Sequence, residues 1–103
     1  MIAVAVVRQS PSGPPIEAYV INISYGGIGL YIKESVRGRV QTTINLRVGA
    51  NKWVPVTVWG HVNWKKSVGM MSAVGISFEG LNTKNHGVLL SYLGTTHEIY
   101  YVE

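Results

Sequence analysis

Apolar residues recur at every second position through most of this chain, and the alternation breaks at segments rich in glycine, proline and small polar residues. The first apolar run, Ile2-Ala3-Val4-Ala5-Val6-Val7, is short and β-branched, so it predicts a strand over 2–8. Gln9-Ser10-Pro11-Ser12-Gly13-Pro14-Pro15 then neither continues a strand nor starts a helix interior. Strands at 16–23 and 27–33 flank a polar turn, with Leu30 and Ile32 alternating against Tyr31 and Lys33. Beyond Lys33-Glu34-Ser35 and the flexible Arg37-Gly38-Arg39, the residues Val40, Thr42, Ile44, Leu46 and Val48 line one face of a strand at 40–48. Gly49-Ala50-Asn51-Lys52 reads as a turn, and Val54, Val56, Val58, Gly60, Val62 and Trp64 share one register of a long strand at 53–64. That register places Trp64 in the core and leaves Trp53 and Trp59 facing outward, while Gly60 marks a bulge or bend. Lys65-Lys66-Ser67-Val68-Gly69 reads as the turn into a sixth strand at 70–78.

The ending changes period. Val88, Leu89, Tyr92 and Leu93 fall at helical spacing, with Asn82 or Thr83 as N-cap and Gly94 as the stop, which predicts a helix over 83–93. The tail 95–103, with Ile99-Tyr100-Tyr101-Val102, is open between a seventh edge strand, a swapped arm and an ordered tail. Six short strands and one closing helix make the fold class all-β: a small six-stranded antiparallel barrel with a single C-terminal α-helix, one domain over 1–103.

Composition narrows the chemistry. A chain of 103 residues with 47% hydrophobic content supports one modest core. It has no cysteine, which removes disulfides, thiolate metal sites and thiol nucleophiles and fits a reducing, cytoplasmic setting. It has no aspartate either, so only Glu17, Glu34, Glu79, Glu98 and Glu103 offer carboxylates, and acid/base or two-metal catalysis is poorly supplied. His61, His86 and His97 lack ligand spacing for a metal, and Ser24 lacks a His and acid constellation, so the expectation is no enzyme and no metal. No apolar run approaches the roughly 20 residues of a membrane span. The net charge of +4 comes from scattered Lys and Arg, which suits a small anionic ligand better than a nucleic-acid duplex.

The most distinctive string is Asn22-Ile23-Ser24-Tyr25-Gly26-Gly27, a polar, glycine-closed turn between two strands on the barrel rim. With Gly26-Gly27-Ile28-Gly29-Leu30, Val62-Asn63-Trp64, Gly75-Ile76-Ser77-Phe78 and the helix through Leu89, Leu90 and Leu93, it resembles the PilZ domain family of bacterial cyclic di-GMP receptors. The family's motif of Asp or Asn, any residue, Ser, any two, Gly is matched by Asn22, Ser24 and Gly27, and the resemblance spans nearly the whole chain. Its other motif, an Arg pair separated by three residues ahead of the first strand, is missing: Arg8 lies at the far end of that strand without a second Arg at the right spacing. Arg forks grip a guanine edge and offset phosphate charge, so their absence marks either a fragment that starts late or a divergent member.

The resemblance implies that Asn22 meets a guanine edge or the ligand backbone, Ser24 donates its hydroxyl and Gly27 lets the ligand approach the main chain. The plainer alternative gives Asn22 and Ser24 turn bonds only, with Gly26 and Gly27 supplying positive φ for a hairpin. Arg8 is a substitute guanidinium or a solvated strand cap, and Lys65, beside Lys66, meets a phosphate across the barrel mouth or is a solvated hairpin tip. Three functions remain: a cyclic di-GMP sensor that relays its signal through protein contacts, a PilZ-like module without nucleotide that docks a motility, secretion or exopolysaccharide component, and a barrel binding single-stranded nucleic acid. The first two lead, because the positive charges do not interleave with aromatics along one face. Oligomeric state and output are left open.

Overall fold

The computed structural model describes residues 4–48, 52–94 and 100–101. Its strands are β1 (Val4–Arg8), β2 (Ile16–Ile23), β3 (Gly27–Ile32), β4 (Arg39–Val48), β5 (Lys52–Val68), β6 (Met71–Phe78) and β7 (Tyr100–Tyr101), with the helix α1 (Thr83–Gly94) between β6 and β7. All pairings are antiparallel in the order β1-β4-β5-β6-β3-β2, and β1 also pairs with β2, which closes six strands into a barrel. Closure leaves no open edge among these six. The period-two pattern fills the interior: Ala5, Val7, Ala18, Leu30, Ile32, Val40, Val58 and Val74 are at most 1% exposed. Of the expected turn at 49–52, residues 49–51 lie outside the described residues, as do the first residues of the expected strand at 2–8, while Lys52 is the first residue of β5.

β5 departs from its sequence reading in three ways. It runs on to Val68, so Lys65 and Lys66 are strand residues opposite Val74 and Ala73 rather than a turn. The turn is the pair Gly69-Met70, opened by Gly69 at φ 61, and Lys is tolerated in the strand because its charged head reaches solvent. Trp64 is on the outer wall, 49% exposed, instead of in the core. A bulge explains this: Val62 faces Ile76 and Trp64 faces Gly75, so Asn63 is an extra residue that reverses the parity of everything after it. Gly60 is not the bulge. A Cβ there would stand 2.6 Å from the Ser77 carbonyl oxygen and 2.7 Å from Ile76 Cγ2, so glycine allows β6 to approach closely.

β2 carries a second bulge. Val20 faces Leu30 while Asn22 faces Gly29, leaving Ile21 extra. Ala18 and Val20 point inward, so unbroken alternation would have sent Asn22 inward too; the bulge turns Ile23 in, at 3% exposed, and Asn22 out.

α1 packs on β4 and β5 through Leu89 and Leu93, both 0% exposed and one turn apart, while Val88 of the expected apolar set faces solvent. Asn82 is the N-cap: its Oδ1 accepts from the Asn85 amide at 2.8 Å. The Asn82 amide in turn donates to His86 Nδ1 at 3.0 Å, and His86 sits at a kink with φ −127 and ψ 22. The tail supplies a seventh strand, β7, which pairs with β2 at Asn22 and Ile23.

Candidate functional site

Both bulges aim side chains at the same place. Across the outer wall, Trp64, Gly75, Gly29 and Asn22 stand in one row through the pairs Trp64–Gly75, Gly75–Gly29 and Gly29–Asn22. Two glycines facing each other on adjacent strands leave a floor of bare backbone, and the bulged residues wall it on either side. Trp64 covers the floor at Gly75: a Cβ there would collide with its indole ring. Asn22 leans over the other glycine, its Oδ1 2.9 Å from where a Gly29 Cβ would be. The depression between them holds about 220 Å³ and is also lined by Ser24, Gly27, Asn63 and Ser77.

The β2–β3 turn forms the end of this pocket. The Ser24 amide donates to the Gly27 carbonyl at 2.9 Å, the Gly26 amide donates to Ser24 Oγ at 3.3 Å, and the Phe78 amide donates to the Gly26 carbonyl at 2.9 Å. Ser24 thus has a turn bond and still borders the cavity. Gly26 and Gly27 do not adopt positive φ; Gly38, Gly69 and Gly80 do. Gly27 answers a different demand, since a Cβ there would run into the Ile76 carbonyl. The pocket therefore lies on the wall below the turn, not across the barrel mouth.

Of the residues singled out in the sequence, Asn22, Ser24 and Gly27 converge here. Arg8 and Lys65 do not line the pocket. Arg8 ends β1 opposite Gln41 of β4. Lys65 reaches the carbonyl of Val36 with its Nζ at 3.0 Å and borders a separate depression with Glu34 and Ser72. The pocket has no Lys or Arg among its lining residues.

The next row of the same wall holds the strongest electrostatic cluster. Arg39 grips Glu79 with two nitrogens, Nη2 to Oε1 at 2.9 Å and Nε to Oε2, and its guanidinium stacks 4.0 Å above the Trp59 ring. His61 Nε2 stands 3.1 Å from Glu79 Oε2, and His61 faces Ser77 of the pocket. The hydrogen bond from Arg39, with its charge, holds the Glu79 carboxyl below the usual carboxylate range. Arg39 is thus committed to Glu79, and Trp59 is half-buried beneath it rather than free on the surface.

Asn63, Trp64, Gly29 and Gly75 line the pocket too, and sequence reading did not bring them together. Their signals were present, glycines at matching outward positions of two strands and a Val-Asn-Trp string, but parity counted through Asn63 put Trp64 on the wrong face. Chemically, the pocket offers two amides, two hydroxyls and an indole face with its outer side open. Amides and hydroxyls both donate and accept, so they suit the mixed edge of a heterocyclic base, and an indole suits its flat face.

The fold has a solved counterpart. The structure titled Bacillus subtilis inhibitor of motility (MotI/DgrA) superposes with a TM-score of 0.68 at 13% sequence identity, covering 94% of this chain and 47% of that one. At that identity the likeness is one of fold, and the chain spans about half the length of its counterpart. A search of curated protein sequences finds no match. Comparison with protein families matches residues 2–94 to the PilZ domain. That match runs from the first strand to the end of α1 and takes in both bulges and the glycine floor, and by it the chain belongs to the PilZ domain family.

Proposed function

We propose that this PilZ domain is a cytoplasmic signalling module that receives cyclic di-GMP in the glycine-floored pocket and relays its arrival through protein contacts. The observation that carries the reading is the row Trp64, Gly75, Gly29, Asn22: two facing glycines overlain by an indole on one side and an amide on the other. Trp64 stacks a guanine, a contact worth about 1–3 kcal/mol in related aromatic–base pairs. Asn22 and Asn63 read its edge, and Ser24 and Ser77 take hydrogen bonds from or to the sugar-phosphate. A volume of about 220 Å³ is below the roughly 300–1,000 Å³ of sites that enclose a whole ligand, so the pocket takes one base and leaves the rest of the dinucleotide on the wall. Phosphate charge needs cations from elsewhere.

Calorimetric titration of cyclic di-GMP tests this. Micromolar binding is expected, lost in Trp64→Ala and in the Asn22→Ala, Ser24→Ala double variant, while Lys65→Ala keeps it. Silence from the wild type counts against a receptor role for this chain. The missing pocket cation favours a second reading, a PilZ module that docks a protein partner without nucleotide in motility, secretion or exopolysaccharide regulation. Capture of the same partner by wild type and by Asn22→Ala, Ser24→Ala, with no effect of cyclic di-GMP, is the expected result there.

A further inference from the structure

We propose that the β5–β6 hairpin is a membrane-contact finger that seats this domain on an anionic lipid surface. Gly69 and Met70 make its two-residue tip, and Met70 is 96% exposed, with Val68 beside it at 43%. A fully projecting methionine stabilises nothing in the barrel. At the headgroup boundary of a bilayer it removes its apolar surface from water.

The surroundings of the tip match lipid on both counts of charge and polarity. Lys66 lies two residues below Val68 on the same outer wall, and Lys33 leaves β3 next to Ile32, which faces Ser72 at the foot of the same hairpin. Both are exposed and neither has an ion-pair partner among the described residues. Lys65 adds a third cation, with its Nζ on the Val36 carbonyl. A depression at the hairpin foot is lined by Lys65, Lys66, Ser35, Ser67 and Ser72, a donor set suited to a headgroup phosphate; Glu34 is its single acidic member. Behind the tip, Val4, Tyr19 and Tyr31 stand side by side across β1, β2 and β3, each 37–39% exposed, and the same row continues through Ala73 to Lys66. Tyrosines with lysines at their border are the composition of a membrane–water interface. A projecting apolar tip over a basic collar fits a soft, negatively charged surface better than a flat protein face.

Co-sedimentation with vesicles tests the proposal, comparing phosphatidylcholine with a mixture containing phosphatidylglycerol. Wild-type protein is expected on the anionic vesicles only, with binding that weakens as salt rises. Met70→Ser changes a solvent-exposed tip and leaves the barrel folded; it is expected to weaken binding about tenfold. The Lys33→Glu, Lys66→Glu double variant is expected to lose it, since each cation near the surface is worth about fivefold. Unchanged far-ultraviolet circular dichroism establishes that the variants are folded. No sedimentation of the wild type overturns the proposal, and so does charge-dependent binding that Met70→Ser leaves untouched, which would make the contact electrostatic without insertion.

Discussion

Thr42 is 0% exposed inside the barrel, flanked in register by Val7 and Val58, and its hydroxyl has no hydrogen-bond partner among the described residues. A buried unpaired hydroxyl costs about 1–3 kcal/mol relative to its being satisfied, so Thr42→Val, which keeps the shape and removes the polar atom, is expected to raise stability by about 1 kcal/mol. Urea unfolding reads this as a higher midpoint with an unchanged slope. Glu79 carries the opposite kind of interaction. Its folded pKa lies below its unfolded value because Arg39 hydrogen-bonds the charged form, so its contribution is present at neutral pH and is lost as pH falls through the folded value. The pair is exposed, so the effect is small and salt-sensitive. Wild type is expected to lose more thermal stability than Glu79→Gln between neutral pH and a pH below about 4. The residue scale is also where part of the candidate pocket could be read from sequence. Asn22 and Ser24 were legible because their spacing within one turn is local, whereas the pairing of Arg39 with Glu79 joins residues that no short-range pattern relates.

Among the elements, β2 and β5 show how one extra residue builds a site. A bulge at Ile21 and another at Asn63 each reverse side-chain parity, and the first residues beyond them, Asn22 and Trp64, become the facing walls of the pocket. The floor depends on glycine. Gly75→Ala is expected to lift Trp64 off the floor and to destabilise the barrel by about 1–3 kcal/mol, as overpacking does. A shift in tryptophan emission together with a lower unfolding midpoint checks it, and cyclic di-GMP affinity falls with it under the proposed function. Strand existence was readable because burial on one face enforces alternation; strand ends and the fate of Trp64 were not. Alternation says nothing about a residue inserted without breaking the run of strand-forming side chains, and Val62-Asn63-Trp64 is such a run. Lys65 and Lys66 misled for a related reason: charged residues signal a turn only when no solvent-facing strand position is open to them.

At the level of the whole molecule, closure of β1 onto both β2 and β4 is what gathers the outer wall into one surface. Along that wall lie the glycine-floored pocket, the tyrosine row and the hairpin tip, so nucleotide and lipid are proposed to meet neighbouring parts of a single face. The alternation of apolar residues, the turn-forming segments and the helical spacing of Leu89 and Leu93 were enough to specify six strands, one closing helix and an all-β barrel, because each reports a local requirement, a face to bury or a φ to accommodate. The PilZ motif was enough to point at Asn22, Ser24 and Gly27. Which face each wall residue takes, which glycines yield to a neighbouring strand, and which cations are already engaged depended on register between strands distant in sequence. Register is set by how the closed barrel packs: the bulge at Asn63 moved a tryptophan expected in the core to the outer wall, and the bulge at Ile21 turned Asn22 to face it.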